Sequence, residues 1–323
     1  MCGLMRTYDY VMTHKLDADD FFIHCVQQAC VERGWNFFLI EPLWVEEFYD
    51  KLLEGKLWPQ VLLNMHSEHH QPDEIYHRLV RLAFERQTQV IDPPDVALAA
   101  FDKARLHPHL QAAGFSLPLT VVVPKERIEE FKLSPEELAA LGLPFVIKPS
   151  LGYGKRGVVL DAQSEADLKR SLADWPDPHY LLQKRIVPRM IDDVPAYFRV
   201  FYAFGAVWCC WWNCYTDRYS ILTPDDSEKH GLKPLRAIVN RLADLTAMHF
   251  FSSEIALTEA GEFVLIDYVN DQCHMLTQTA NPQMGVPDEI VAAIAQRLVE
   301  GATQWLAPKR PARTGTVLSL DKR

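Results

Sequence analysis

Residues 144–160, PFVIKPSLGYGKRGVVL, constrain this chain more than any other stretch. A short apolar run, PFVI, ends at Lys148. A glycine- and lysine-rich loop follows at residues 150–157, and a second apolar run, VVL, comes directly after it. That order predicts strand, loop, strand. Gly152, Gly154 and Gly157 let backbone N–H groups turn toward an anion. Lys148, Lys155 and Arg156 add positive charge. The loop therefore reads as a phosphate cradle slung between two strands, with Ser150, Gly152, Gly154, Lys155 and Gly157 as candidate contacts. It is not a Walker loop, because GxxxxGK[ST] is absent and no helix follows. GYGKRG has the G-x-G-x-x-G spacing of dinucleotide sites, but there the glycines open a helix, and here a β-rich run follows.

The rest of the chain limits what such a loop can serve. Net charge is −10, which argues against a general nucleic-acid binder. A local basic pocket for a polyphosphate remains compatible with it. The seven cysteines, at 2, 25, 30, 209, 210, 214 and 273, have no CxxC spacing. An odd, scattered set fits the reduced thiols of a cytoplasmic protein better than a disulfide framework. No apolar run reaches 18 residues, so no membrane span is expected. The N-terminal MCGLMRTYDY lacks a signal peptide's apolar core, and no glycine follows Met1 for myristoylation. A homodimer is compatible with the sequence, which does not fix the oligomeric state.

Over residues 1–100, strand and helix signals alternate. Strands are expected at 8–13, 36–40, 61–65 and 89–91, and helices at 19–33, 43–53 and 74–86, the first capped by Asp17 or Asp19. Alternation of this kind predicts a parallel sheet covered on both sides, with ligands at the carboxyl ends of its strands. The polar loop at 66–73, with His66, Glu68, His69 and His70, falls at such an end. Adjacent His69 and His70 read as surface residues rather than zinc ligands. From residue 101 the texture changes. A helix opens at Asp102-Lys103, and a strand follows at 119–123. Ser134-Pro135-Glu136-Glu137 is a capped helix start, and Gly142 ends that helix. A helix is expected at 164–173, a strand at 180–183 and one long β-rich run at 198–212. The WCCWW segment within that run reads as a packed sheet face, its cysteines as core residues. Apolar residues at helical spacing mark 235–248. A hairpin pair is expected at 253–257 and 262–268, then a last helix at 287–305. The polar residues 308–323 read as a flexible tail.

Three features fall in a fixed order: Lys103, then Lys148 with its glycine loop, then acidic residues near 254–271. On this framework the chain resembles the ATP-grasp superfamily, in the carboxylate–amine ligase arrangement of D-alanine–D-alanine ligase and RimK-type proteins. The resemblance covers roughly residues 1–305. It implies a mixed α/β and α+β fold: an N-terminal parallel αβ lobe (1–100) and two α+β lobes (101–182 and 183–307) that clamp ATP. Phe101-Asp102-Lys103 with Gly114-Phe115-Ser116-Leu117-Pro118 is similar to the family's entry into the first clamp lobe. Residues 180–186, YLLQKRI, resemble the hinge on which adenine lies, implying nucleotide contacts from Gln183, Lys184 and Ile186 beside Lys103 and Lys148. FRV at 198–200 resembles an arginine-bearing strand, and EFVLIDYVN at 262–270 resembles the metal strand.

The physical logic behind these roles is general. A transferring phosphoryl group carries charge that two lysines and Mg²⁺ offset. Mg²⁺ takes hard oxygen ligands, for which the resemblance implies Glu254, Asp267 and Asn270. Arg199 or Arg218 is implied as the group that stabilises the transferred phosphate. The chain also departs from the pattern. Asp267-Tyr268-Val269-Asn270 is one residue longer than the family's acid-x-Asn, so either a bulge absorbs the extra residue or Asp271 joins the ligands. The acid expected on the ribose is Asp192 or Asp193. The activity implied is an ATP- and Mg²⁺-dependent ligase joining a small-molecule carboxylate to an amine. A small-molecule kinase of the same fold and a non-catalytic ATP-binding protein are the alternatives.

Overall fold

The computed structural model describes residues 5–14, 20–66 and 71–306. The caps anticipated at Asp17 and Asp19, part of the 66–73 loop and the 308–323 tail lie outside the described residues.

The first layer runs β1 (Arg6–Thr13), α1 (Asp20–Glu32), β2 (Phe37–Ile40), α2 (Val45–Leu53), β3 (Leu57–Leu63), α3 (Ile75–Glu85) and β4 (Gln89–Ile91). The strands pair in parallel in the order β2-β1-β3-β4. Both faces are apolar because both are covered, as parallel sheets require. Val11, Leu62 and Val90 pack on Phe48 and Leu52 of α2 and on Leu79 and Ala83 of α3. Tyr10, Met12, Val61 and Leu63 pack on Phe22 and Val26 of α1.

Two short helices, α4 (Pro94–Phe101) and α5 (Lys103–Ala112), lead out of this layer. The first was not expected from the sequence. Asp92-Pro93-Pro94 reads as a stop, yet Pro94 occupies the first helical turn, where a missing N–H costs nothing. Asp102 caps α5 by accepting from the Ala104 and Arg105 amides, each at 3.1 Å.

The second sheet is antiparallel, in the order β5-β8-β6-β7, from β5 (Thr120–Pro124), β6 (Phe145–Pro149), β7 (Val159–Ala162) and β8 (His179–Gln183). One face is closed by α6 (Pro135–Leu141) and α7 (Leu168–Asp174), with Val123, Phe145, Ile147 and Leu182 against Leu141 and Leu168. Ser134 and Glu137 form the expected capping box at α6.

A small hairpin, β9 (Met190–Ile191) and β10 (Val194–Pro195), precedes the third sheet. That sheet is antiparallel in the order β13-β12-β11-β14-β15. The β-rich run at 198–212 is two strands rather than one: β11 (Tyr197–Ala203) and β12 (Ala206–Trp212). Phe204 and Gly205 turn between them, with φ of +43° and +84°. The tryptophan cluster is accordingly divided. Trp211 packs under α9 (Pro234–Thr246), whereas Trp208 and Trp212 lie in other clusters. The sheet continues with β13 (Tyr219–Ile221), then α8 (Pro224–Lys229), α9, β14 (Phe250–Leu257) and β15 (Phe263–Asn270). Finally α10 (Asp288–Ala302) returns to the first layer, where Ile290, Ile294 and Leu298 complete the core under α1. Phe201, Ala203 and Cys210 join the same core from the third sheet.

A buried carboxylate ties the first layer to the third. Asp92, at the end of β4, accepts from the His249 amide (2.8 Å), the His249 ring Nδ1 (2.7 Å) and the Phe250 amide (2.9 Å).

Candidate functional site

Strand register builds the acidic half of the site. Arg199 on β11 lies opposite Glu254 on β14, and Glu254 lies opposite Asp267 on β15. Side chains alternate along a strand, so this cross-strand row presents to one face. Asp267 sits between two irregularities. Ser252 pairs with Asn270 and Glu254 with Asp267, so two residues oppose three; Ile255 then pairs with Leu265, so one opposes two. The extra residue of Asp267-Tyr268-Val269-Asn270 is absorbed by a bulge. Bulges release carbonyls from the ladder and re-aim side chains. Here the Ile266 carbonyl accepts from Lys148 Nζ at 3.1 Å, and the Tyr268 carbonyl accepts from Ser253 Oγ at 2.6 Å.

The two carboxylates differ. Glu254 is engaged at both oxygens, by Arg199 Nη1 and by the Tyr197 hydroxyl at 2.9 Å. Arg199 also donates through Nε to Ser252 Oγ at 3.0 Å and stacks 5.7 Å from the Trp212 ring centre. Asp267 Oδ1 is buried and accepts no hydrogen bond; Lys103 Nζ stands 3.4 Å away as an ion pair only. Burial raises the pKa of Glu254, against the pull of Arg199. Burial pushes Asp267 the same way, but Lys103, Lys148 and Arg199 outweigh it and hold this carboxyl below its usual value. A buried carboxylate oxygen without a hydrogen bond is costly unless a cation takes it. A hard dication wanting few protein oxygens fits this set, with Asp267 first, Glu254 opposite it and Asn270 on the next cross-strand pair. Asn270 donates to the Ser252 carbonyl at 3.4 Å, which leaves its side-chain oxygen for a ligand.

The basic half faces this row. Lys148 lies on β6 at the centre of the second sheet, and burial lowers its pKa against the pull of Asp267 and Glu254. Lys103 opens α5; its Nζ donates to the Gly152 carbonyl at 3.1 Å as well as facing Asp267. Ser150 is used structurally. It is fully buried, its hydroxyl donates to Asp102, and its Oγ accepts from the Ala104 amide at 2.8 Å.

The glycine loop between β6 and β7 is held at its base and open at its tip. Leu151 N–H donates to Asp177 Oδ2 (2.8 Å), and Gly157 N–H donates to Asp174 Oδ2 (2.5 Å). Gly157 has a φ of +69°, and a Cβ there would meet Pro149 Cγ and Trp175 Cβ at 2.6 Å, so no other residue fits. Gly154 and Lys155 also have positive φ. At the tip Lys155 reaches across the cleft to Asp217, at 2.6 and 2.9 Å. An ion pair this exposed holds weakly. We therefore expect amide exchange at the loop tip, residues 153–155, to be fast without ligand and strongly slowed by an ATP analogue with Mg²⁺. Equal protection in both states would argue against a closing loop.

Among the hinge residues, Gln183 turns its side chain inward, donating to Tyr268 OH (3.0 Å) and Thr120 Oγ1 (3.1 Å). Lys184 is exposed, with its amide donating to the Leu119 carbonyl. Ile186 packs beside Tyr197 and Trp212. Among the described residues no backbone partner occupies the Ile186 amide or the Lys184 carbonyl, which leaves an edge for a base. The other sequence candidates stand apart. Arg218 is exposed in the turn before β13 and makes no ion pair among the described residues. Asp192 pairs with Lys229 at 2.7 Å in the exposed turn of the β9–β10 hairpin. His66 is buried, its ring 3.6 Å from that of Tyr76. Sequence reasoning missed Tyr197, Asp217, His107 and Tyr268. Each reaches the site through register or a long-range contact, and no local pattern marks it.

A parallel αβ layer followed by two antiparallel sheets, with a lysine strand and glycine loop facing an acidic strand row, defines the ATP-grasp fold. No family model matches the sequence, and no curated protein matches it. Solved structures do match it. A RimK-domain ATP-grasp protein from Sphaerobacter thermophilus aligns with a TM-score of 0.61 at 16% identity, covering 91% of this chain and 98% of that one. D-alanine–D-alanine ligase from Bacillus anthracis, complexed with ATP, gives 0.61 at 13% identity, over 93% and 96%. The ATP-grasp ligase PsnB, complexed with a minimal precursor, Mg and ADP, gives 0.59 at 14% identity, over 91% and 98%. At such identities the likeness establishes the fold.

Proposed function

We propose that this chain is an ATP- and Mg²⁺-dependent ligase that joins a carboxylate to an amine. The observation that carries this reading is the Arg199–Glu254–Asp267 row facing Lys103 and Lys148 beneath a glycine loop. Its fold relatives include ligases complexed with ATP, or with Mg and ADP.

Each residue has a definable task. The backbone at 184–186 holds adenine by its edge, with Ile186 and Val146 as apolar walls. Lys148 and Lys103 offset phosphate charge. The loop residues Gly152, Gly154 and Lys155 close over the phosphates and keep water from the transferring group. Asp267, Glu254 and Asn270 hold Mg²⁺, which supplies charge neutralisation at the phosphates. A substrate carboxylate oxygen attacks the terminal phosphorus and ADP leaves. The amine nitrogen then attacks the acyl carbon, phosphate departs, and the nitrogen loses a proton. Arg199, beside Glu254 in the acidic row, stabilises the charge that develops on the transferred phosphate; Arg218, exposed in the β12–β13 turn, is the second candidate for that task.

The test begins with ATP consumption against pooled carboxylate and amine metabolites. Phosphate release should need both substrates together. With ¹⁸O-labelled carboxylate, one labelled oxygen should appear in the released phosphate. Unlabelled phosphate, or a stable phosphorylated product from one substrate, would overturn the ligase and indicate a kinase.

A further inference from the structure

Behind the acidic row lies a buried polar joint that none of these roles uses. Tyr268 follows Asp267 directly, so its side chain points to the opposite face of the sheet. Its ring is 1% exposed and packs in the core beneath α9. Its hydroxyl meets two partners: Gln183 Nε2 at 3.0 Å and His107 Nδ1 at 2.6 Å. Gln183 Nε2 also donates to Thr120 Oγ1, so both amide protons are committed. The hydroxyl accepts from Gln183, and its own proton goes to His107 Nδ1 when the ring carries its proton on Nε2. Burial lowers the pKa of His107 and so favours the neutral ring that this tautomer requires.

The partners come from the three elements that matter most. Gln183 ends β8, and the adenine edge begins at the next residue. His107 lies on α5, whose first residue is Lys103. Tyr268 adjoins Asp267 within the bulged segment of β15. A bulge loosens the ladder that would otherwise fix side-chain direction, so another restraint is needed there. A satisfied buried network gives such a restraint, and breaking one member leaves the others unpaired.

We propose that the Tyr268 hydroxyl, clamped between Gln183 and His107, is a positioning group that aims Asp267 and links the adenine hinge to the metal ligands. The inference rests on the nucleotide and metal reading given above. It also makes Tyr268 more than core filling, because its loss should be felt by the metal rather than by the base.

Calorimetry of ATP binding with Mg²⁺ and with EDTA separates these effects, alongside melting of the nucleotide-free protein. Tyr268→Phe and His107→Leu should each weaken Mg²⁺–ATP binding by about tenfold, the equivalent of one net hydrogen bond. Metal-free ATP binding should stay within about twofold. The double variant should be no worse than either single one, because both break the same link. His107→Asn, which keeps an acceptor near Nδ1, should recover most of the loss. Equal weakening with and without Mg²⁺, or no effect of His107→Leu, would overturn the proposal. Should Tyr268→Phe fail to fold, His107→Leu and its rescue by His107→Asn carry the same comparison from α5. Absence of ATP binding by the unaltered protein would overturn the nucleotide reading itself.

Discussion

Lys148→Ala should weaken ATP binding by about 2–4 kcal/mol, the loss of two charge-assisted phosphate contacts. In affinity that is roughly thirtyfold to a thousandfold. Without nucleotide, Lys148 Nζ donates to the Ile266 carbonyl that the bulge leaves free. Binding therefore exchanges one partner for another, which trims the gain below that of a free ammonium. The substitution also removes positive charge beside Asp267 and Glu254. Those carboxylates should then bind a divalent cation no less tightly, while ATP binding suffers. Calorimetry with ATP, and with Mg²⁺ alone, reads both effects. Unchanged ATP affinity would remove Lys148 from the phosphate site.

Asp267→Asn should abolish Mg²⁺-dependent turnover and leave the fold intact. Even residues one step removed from a metal cost about 10–100-fold when changed, so a direct ligand should exceed about a hundredfold. The neutral amide cannot match the carboxylate whose Oδ1 is buried without a hydrogen bond, facing Lys103. Asp271→Asn is the control. It lies beyond the end of β15, where its charge is felt by Asp92. Full activity in Asp267→Asn with loss in Asp271→Asn would move the metal site to the later acid. Circular dichroism and melting of both variants separate a lost ligand from a lost fold.

Much of this was written locally. Glycines around Lys148 announce their strand–loop–strand because no other residue type supplies positive φ cheaply. Ser134 and Glu137 announce their helix through a reciprocal cap. The order of Lys103, Lys148 and the late acids was enough to suggest the architecture. What stayed hidden depends on pairing between distant strands. The bulges around Asp267 arise from register between β14 and β15, and alternation within one strand cannot reveal a neighbour's offset. The Lys155–Asp217 contact joins residues 62 apart, and the His107–Tyr268 contact joins residues 161 apart. Two local features escape the sequence for local reasons. Asp92-Pro93-Pro94 closes β4 as expected, but the same Pro94 begins α4, which a pair of prolines does not announce. The turn at Phe204-Gly205 is hidden inside an apolar run, because a lone glycine there interrupts hydrophobicity by only one residue.

The way the cores divide assigns the moving part. The first and third sheets share one apolar core through α1, α10, Phe201 and Cys210, and Asp92 bolts them together at His249. The second sheet keeps a core of its own under α6 and α7. At the cleft it is joined to the rest by polar contacts that water can replace, Lys148 to Ile266, Lys155 to Asp217 and Ser150 to α5, while the buried Gln183–Tyr268 bond stays at the hinge end of β8. Opening the cleft thus costs little apolar burial if the second sheet swings as a jaw and the other two stay together as the anvil. The jaw carries Lys148 and the glycine loop, while Lys103, Arg199, Glu254 and Asp267 stay on the anvil. Substrate contacts made by the first layer would then keep their distance from the metal acids through every cycle of opening, and only the grip on the nucleotide would change.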